Sequence, residues 1–281
     1  MQQSTQKYIP YVSQGWQGLV RNGWLEPLAN LDEFLSAPAD RVLANRPNRE
    51  VRRVVTEHGV LYVKIIKSLS DDRGCNPATL WKHLKWCLRP SRALAVLQVC
   101  EQMLSAGIIC PEPVLAARQR RWGYPCDVFI TREVRAPTLN QLLVEATDKQ
   151  QRQQLLEIAA RELSHFHQLG FIHGDCLLGN FCLHAGRLAF LDNDRSFRST
   201  GWLLQYHRRR NLQQFCHLLS WRLCNTAGAR WFLERYAVYS GWSAGQTARE
   251  SQLIMAKVRR RLANTIIDQE VDDWLSRERE P

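Results

Sequence analysis

The stretch FIHGDCLLGNFCLHAGRLAFLDND, residues 171–194, decides the fold. In it His173, Gly174 and Asp175 are followed by Asn180, five residues after the aspartate, and then by Asp192 at the end of an apolar run. His184-Ala185-Gly186-Arg187 is a turn sequence between FCL and LAFL, so the segment reads as a loop, a two-stranded hairpin and a terminal aspartate. Just upstream, from Asp148, apolar residues recur at helical spacing. Leu155, Leu156, Ala159, Ala160, Leu163 and Phe166 predict a long amphipathic helix that ends at Gly170.

Toward the N-terminus, VRRVVTEHGVLYVKIIK (51–67) sets two β-branched stretches around His58-Gly59 and predicts a β-hairpin whose second strand carries Lys64. A polar, glycine-containing stretch from Ser68 to Thr79 leads into a helix through about Ala106, capped by Gly107. ICPEPVLAAR then enters a strand, and DVFITREV (127–134) forms another. Beyond Arg195 the chain reads as helix to its end, with apolar faces at Leu212, Phe215, Leu219 and Leu223, then at Leu253, Val258 and Leu262. The expectation is an α+β chain of two lobes, a small strand-rich one over 40–135 and a larger helical one over 136–270, with the chemistry where they meet. A hinge is expected near Ala136-Pro137, an N-terminal extension over 1–39 and a C-terminal tail over 271–281.

Each residue type in the central motif has a task in phosphoryl transfer. A carboxylate near the attacking hydroxyl orients it and accepts its proton, the role read for Asp175. An amide and a second carboxylate, Asn180 and Asp192, supply hard oxygen ligands for Mg²⁺ bridging nucleotide phosphates. The order of these residues is the H-R-D-L-x-x-x-N and D-F-G arrangement of protein kinases with substitutions. Lys64 in YVKI matches the strand lysine of V-A-I-K, its ammonium directed at the phosphates of ATP, while Lys67 falls on the opposite face. His173 belongs with Asp175 in the catalytic set and is read as bracing the loop by hydrogen bonding. Asp194 is either a second metal ligand or a turn cap. His165 and His167 are read as structural.

Composition narrows the function classes. Hydrophobic residues make up 45% and charged residues 23% of the 281, ordinary for a globular chain. No apolar run approaches the roughly 20 residues of a membrane span, and MQQSTQKYIPYVSQ lacks a basic head and apolar core, so the cytosol is the expected location. Nine cysteines without C-x-x-C spacing argue against a disulfide framework or zinc ribbon. The net charge of +11, in short clusters such as Arg208 to Arg210 and Lys257 with Arg259 to Arg261, favours anionic partners.

With those residues in view, the chain resembles the lipopolysaccharide kinase family, bacterial enzymes that phosphorylate inner-core heptose or 3-deoxy-manno-octulosonic acid (Kdo). The resemblance spans roughly 45–215 and rests on RPNREVRRVV, LYVKIIK, AGIICPEPV, LSHFHQLGFIHGDCLLGNFCL, LAFLDNDRSFR and RRRNLQQF. It implies a protein-kinase-like fold, with Asp175 as base, Asn180 and Asp192 as Mg²⁺ ligands and Lys64 on the ATP phosphates. The implied acceptor is a lipid A–core glycolipid at the cytoplasmic face of the inner membrane, and no nucleic-acid partner is expected. Two departures stand out. NRPNRE occupies the place of a glycine-rich loop, so Asn45, Arg46 and Asn48 with their backbone amides are the candidates for covering the phosphates; Glu133 completes the nucleotide-binding set. Glu101, the one acid in the helix before Gly107, either partners Lys64 or that ion pair is absent. A soluble small-molecule or protein kinase, and a binding module without chemistry, are the competing readings.

Overall fold

Alternation of apolar and polar residues dominates the first half of the chain, and in the computed structural model it yields a single antiparallel sheet. The structure describes residues 7–46, 48–67, 81, 84, 88–121, 124–223 and 225–263. They fall into two compact units, Met1–Leu104 with Pro111–Glu133, and Ser105–Cys110 with Val134–Pro281.

The first unit contains β1 (Tyr8–Ser13), β2 (Trp16–Arg21), α1 (Leu31–Ser36), β3 (Arg41–Arg46), β4 (Arg49–Thr56), β5 (Gly59–Lys67), α2 (Arg92–Ser105), β6 (Pro113–Arg121) and β7 (Tyr124–Arg132). The seven strands are ordered β1-β2-β6-β7-β5-β4-β3, all neighbours antiparallel. Leu61, Val63 and Ile65 of β5 are buried with Leu115, Ala117, Val128 and Ile130. Lys64 alternates to the other face, half-buried, in register with Val51 and Phe129. Asp127 of β7, almost fully buried, accepts two 2.9 Å hydrogen bonds from the Arg118 guanidinium, the Ser91 hydroxyl at 2.7 Å and the Arg92 N–H at 3.2 Å. One carboxylate thus binds the start of α2 to the sheet, where hydrogen bonds to a charged group are each worth about 1.5–3 kcal/mol.

Residues 8–36 depart from the reading of 1–39 as an extension. Val20 of β2 pairs with Leu115 of β6, and Tyr11, Trp16, Val20, Leu28 and Leu31 are fully buried in the core of the sheet. The Trp16 indole N–H donates to Asp32 at 3.0 Å and the Tyr11 hydroxyl to the Leu28 carbonyl at 2.6 Å, so these large side chains satisfy their polar ends while burying their rings.

The second unit contains α3 (Leu139–Glu145), α4 (Lys149–Gln168), β8 (Phe171–Ile172), β9 (Phe181–His184), β10 (Arg187–Phe190), β11 (Phe197–Arg198), α5 (Gly201–Leu223), α6 (Ala227–Tyr239) and α7 (Ala244–Leu262). The expected helix upstream of the motif is α4, with Asp148 as its N-cap and Gly170 at φ +83° just past its end. Phe166 of α4 stacks on Phe190 at 4.2 Å between centroids, and Phe181 meets Phe190 edge-on at 5.4 Å. Such ring pairs add about 0.5–1.5 kcal/mol each beyond area burial and seat the β9–β10 hairpin on α4. The helix expected through about Ala106 is α2, which starts only after the non-helical Arg89, Pro90 and Ser91; residues 68–80, 82–83 and 85–87 and the chain end beyond residue 263 lie outside the described residues.

Candidate active site

The hairpin turn at Ala185 (φ +50°) and Gly186 (φ +74°) sets a two-residue loop whose register pairs Phe181 with Phe190. One step farther, the Leu191 N–H donates to the Asn180 carbonyl at 2.8 Å, so Asn180 and Asp192 leave the hairpin side by side. The Asn180 amide N–H₂ donates to the Asp175 carbonyl at 2.9 Å. That bond orients the amide, leaving its oxygen as the free hard donor atom on the opposite side. Asp192 itself has a left-handed backbone (φ 49°, ψ 58°), which costs a residue with a Cβ on the order of 1–2 kcal/mol.

His173 is fully buried and holds the two halves of the motif together. Its Nε2–H donates to the Leu191 carbonyl at 2.8 Å, and its Nδ1 accepts from the Asp175 N–H at 3.3 Å. Burial lowers its basicity below that of an ordinary imidazole, so the ring stays neutral in this tautomer. Both ring nitrogens are occupied, so the ring braces the loop by hydrogen bonding.

The loop is also gripped from α5. Asn211 accepts from the His173 N–H at 3.0 Å and donates to the His173 carbonyl at 2.7 Å, while Gln214, one turn on, accepts from the Cys176 N–H at 3.0 Å. His167 donates to the same Asn211 oxygen at 3.1 Å and accepts from the Tyr236 hydroxyl at 2.7 Å. Burial pushes the His167 pKa down to about 3. The structural role expected of His167 is thus a specific one. Asn211 and Gln214 were not singled out from the sequence. The available signal was a polar Asn211 in step with the apolar positions Leu212, Phe215 and Leu219.

Gly174 faces the turn after Asp192. A Cβ built there would stand 2.0 Å from the Cβ of Arg195 and 2.4 Å from its carbonyl oxygen, so the backbone of Arg195 fills the space a side chain would need. The Arg195 guanidinium lies 3.5 Å from the Asp175 carboxylate, a half-exposed pair of the kind worth about 0–1 kcal/mol.

The donor set fits Mg²⁺. Among the described residues there is no cluster of three or more His, Cys, Asp or Glu side chains. Mg²⁺ needs no such cage, since it is ordinarily held by one or two protein oxygens together with substrate phosphates and water. Asn180 and Asp192 would hold it.

In the first unit the expected nucleotide residues separate. Asn45, Arg46 and Asn48 are exposed at the β3–β4 connection, and the Asn48 carbonyl accepts from the Lys67 N–H at 3.0 Å. The Glu133 carboxylate accepts from Arg53 at 2.8 and 3.3 Å and from the Tyr62 hydroxyl at 3.3 Å. Glu101 is held by Lys7 and by the Tyr8 hydroxyl at 2.7 Å, and not by Lys64. None of the described helices is long and apolar enough to cross a membrane.

Among solved structures, WaaP in complex with acyl carrier protein aligns with a TM-score of 0.61 at 16% identity, over 87% of this chain and 97% of that one. The bifunctional kinase-methyltransferase WbdD aligns at TM-score 0.46 and 17% identity, over 79% of this chain and 52% of that one. Comparison with curated proteins gives no match. The first alignment establishes a protein-kinase-like fold. The model of the lipopolysaccharide kinase (Kdo/WaaP) family matches residues 69–236, a segment that begins just past Lys64 and includes Asp175, Asn180, Asp192 and Asn211. With more than half of its length matched, the chain belongs to the lipopolysaccharide kinase (Kdo/WaaP) family, kinases that transfer phosphate to a sugar hydroxyl.

Proposed function

We propose that the enzyme transfers the γ-phosphoryl group of ATP, with Mg²⁺, to a hydroxyl of an inner-core sugar, heptose or Kdo, on a lipid A–core glycolipid. In this reading Asp175 contacts the acceptor hydroxyl, aligns it and takes its proton as the new O–P bond forms. Asn180 and Asp192 hold Mg²⁺, which neutralises charge developing on the transferring phosphate. Lys64 engages the ATP phosphates, and the β3–β4 connection with Asn45, Arg46 and Asn48 covers them through backbone amides. The enzyme works as a peripheral protein at the cytoplasmic face of the inner membrane, where its acceptor is anchored.

One observation carries the reading. A neutral, buried His173 joins Asp175 to Leu191 while the Asn180 amide is tied to the Asp175 backbone, so two carboxylates and one amide are preset on a single rigid frame. Preorganised oxygens of this kind are what phosphoryl transfer requires from a protein. Mass spectrometry of core glycolipid from cells lacking the protein tests it. One phosphate should be missing from the inner core, and an unchanged glycolipid would overturn the acceptor assignment.

A further inference from the structure

Beside Asp175 lies a cavity of about 370 Å³ whose walls come entirely from the second unit. Its floor is His173, Gly174 and Asp175. Neither Asn180 nor Asp192 lines it. Ligand pockets start at about 300 Å³, so this one accommodates a sugar ring with a substituent.

The charge in this cavity is lopsided. Arg195, from the turn after β10, Arg210 of α5 and Arg261 in the last turn of α7 converge on it, joined by His207, against the single carboxylate of Asp175. Arg195 shares its charge with Asp175 at 3.5 Å. Arg210 has only the Tyr206 ring beneath its guanidinium, at 5.9 Å, and neither Arg210 nor Arg261 has a carboxylate within ion-pair distance among the described residues. Two other arginines of this unit are neutralised instead. Arg209 is bidentate to Glu250 and Arg235 bidentate to Glu157, all at 2.7 Å. Two guanidinium groups without acid partners among the described residues, lining one cavity from two helices, supply the paired cationic donors that suit an oxyanion.

We infer that this cavity is an acceptor subsite in which Arg210 and Arg261 bind an anionic group, a carboxylate or a phosphate, carried by the sugar whose hydroxyl meets Asp175. The inference rests on the proposed sugar-kinase reading and deepens it, since the enzyme would select an acidic sugar over a neutral one. Binding the anion fixes the ring, which holds the target hydroxyl at the carboxylate.

Calorimetric titration of the full-length enzyme with free Kdo, a heptose phosphate and unmodified heptose provides the test, for wild type, Arg210→Gln, Arg261→Gln and the double variant. Arg259→Gln serves as a control outside the cavity, and circular dichroism checks folding. Each Arg substitution should weaken the preferred acidic sugar about 10- to 100-fold, leave ATP affinity unchanged and barely affect heptose. The Kdo and heptose phosphate arms tell a carboxylate from a phosphate. Equal binding of neutral and acidic sugars, no binding of either, or Arg variants indistinguishable from wild type would each overturn the subsite. Arg-dependent binding of acidic sugar without transfer from ATP would keep the subsite and sink the kinase reading. Transfer to a neutral acceptor at the same rate would do the reverse.

Discussion

Replacing Gly174 with alanine probes the join between the catalytic loop and the turn that follows Asp192. The added carbon would lie 2.0, 2.4 and 2.5 Å from the Cβ, carbonyl oxygen and carbonyl carbon of Arg195. Carbon atoms in contact settle at about 3.5–4.0 Å, so the overlap exceeds one ångström. The obstructing atoms are backbone or fixed to it, and no rotamer change can clear them. The Asn193–Arg195 turn must move, and it is held by the Asn193 amide on the Phe190 carbonyl at 2.7 Å and by Ser196 on Asn193 at 3.1 Å. Overpacking costs about 1–3 kcal/mol. The stiffer unfolded chain offsets about 0.4–1 kcal/mol. A net destabilisation of about 1–2 kcal/mol is expected. Because the displaced turn begins at Asp192, a shift of about 1 Å should also lower kcat on the order of 10²-fold. Urea unfolding followed by circular dichroism reads the first effect and phosphate transfer the second. Gly179→Ala on the same loop is the stability control, since its added carbon meets nothing within 4 Å, and its stability should be equal or slightly higher. If Gly174→Ala were as stable and as active as wild type, the close approach of Arg195 would be refuted.

Asp192→Asn should abolish Mg²⁺-dependent transfer while preserving the fold, because it removes a charged ligand and little volume; near-normal rates would mean that another group, Asp194 first, holds the metal. Asn211→Ala should cost about 2–5 kcal/mol in urea unfolding, since it strands the His173 N–H and carbonyl and the His167 N–H in a buried site. Stability should also depend on pH. His167 has a folded pKa of about 3 against about 6.5 when unfolded, so between those values the unfolded chain binds more protons. Thermal stability should therefore be highest above about pH 6.5 and fall as pH drops toward 3, and His167→Gln should flatten that slope.

The loop and hairpin of residues 171–194 were legible because Ala185-Gly186 and the apolar period of α4 leave local signals. What was missed depends on distant partners. The β1–β2 hairpin gains its place by pairing Val20 with Leu115, nearly a hundred residues away, and Pro10, Gly15 and Gly18 interrupt its alternation. Asn211 reads as an ordinary helical polar residue until His173 and His167 close on it from other elements. The tie of Glu133 to Arg53, eighty positions earlier, likewise leaves no local hint in the sequence. The glycine of H-G-D stands where protein kinases carry arginine, and its physical reason is the Arg195 backbone packed against it.

The central claim is that Asp175 is the base in phosphoryl transfer to a core sugar. Single-turnover transfer from γ-labelled ATP to purified lipid A–core glycolipid, with Mg²⁺, tests it most directly. Asp175→Asn should slow transfer by about 10²- to 10⁴-fold while nucleotide affinity is largely unchanged. An undiminished rate in Asp175→Asn, or no transfer by the wild-type enzyme, would contradict the account.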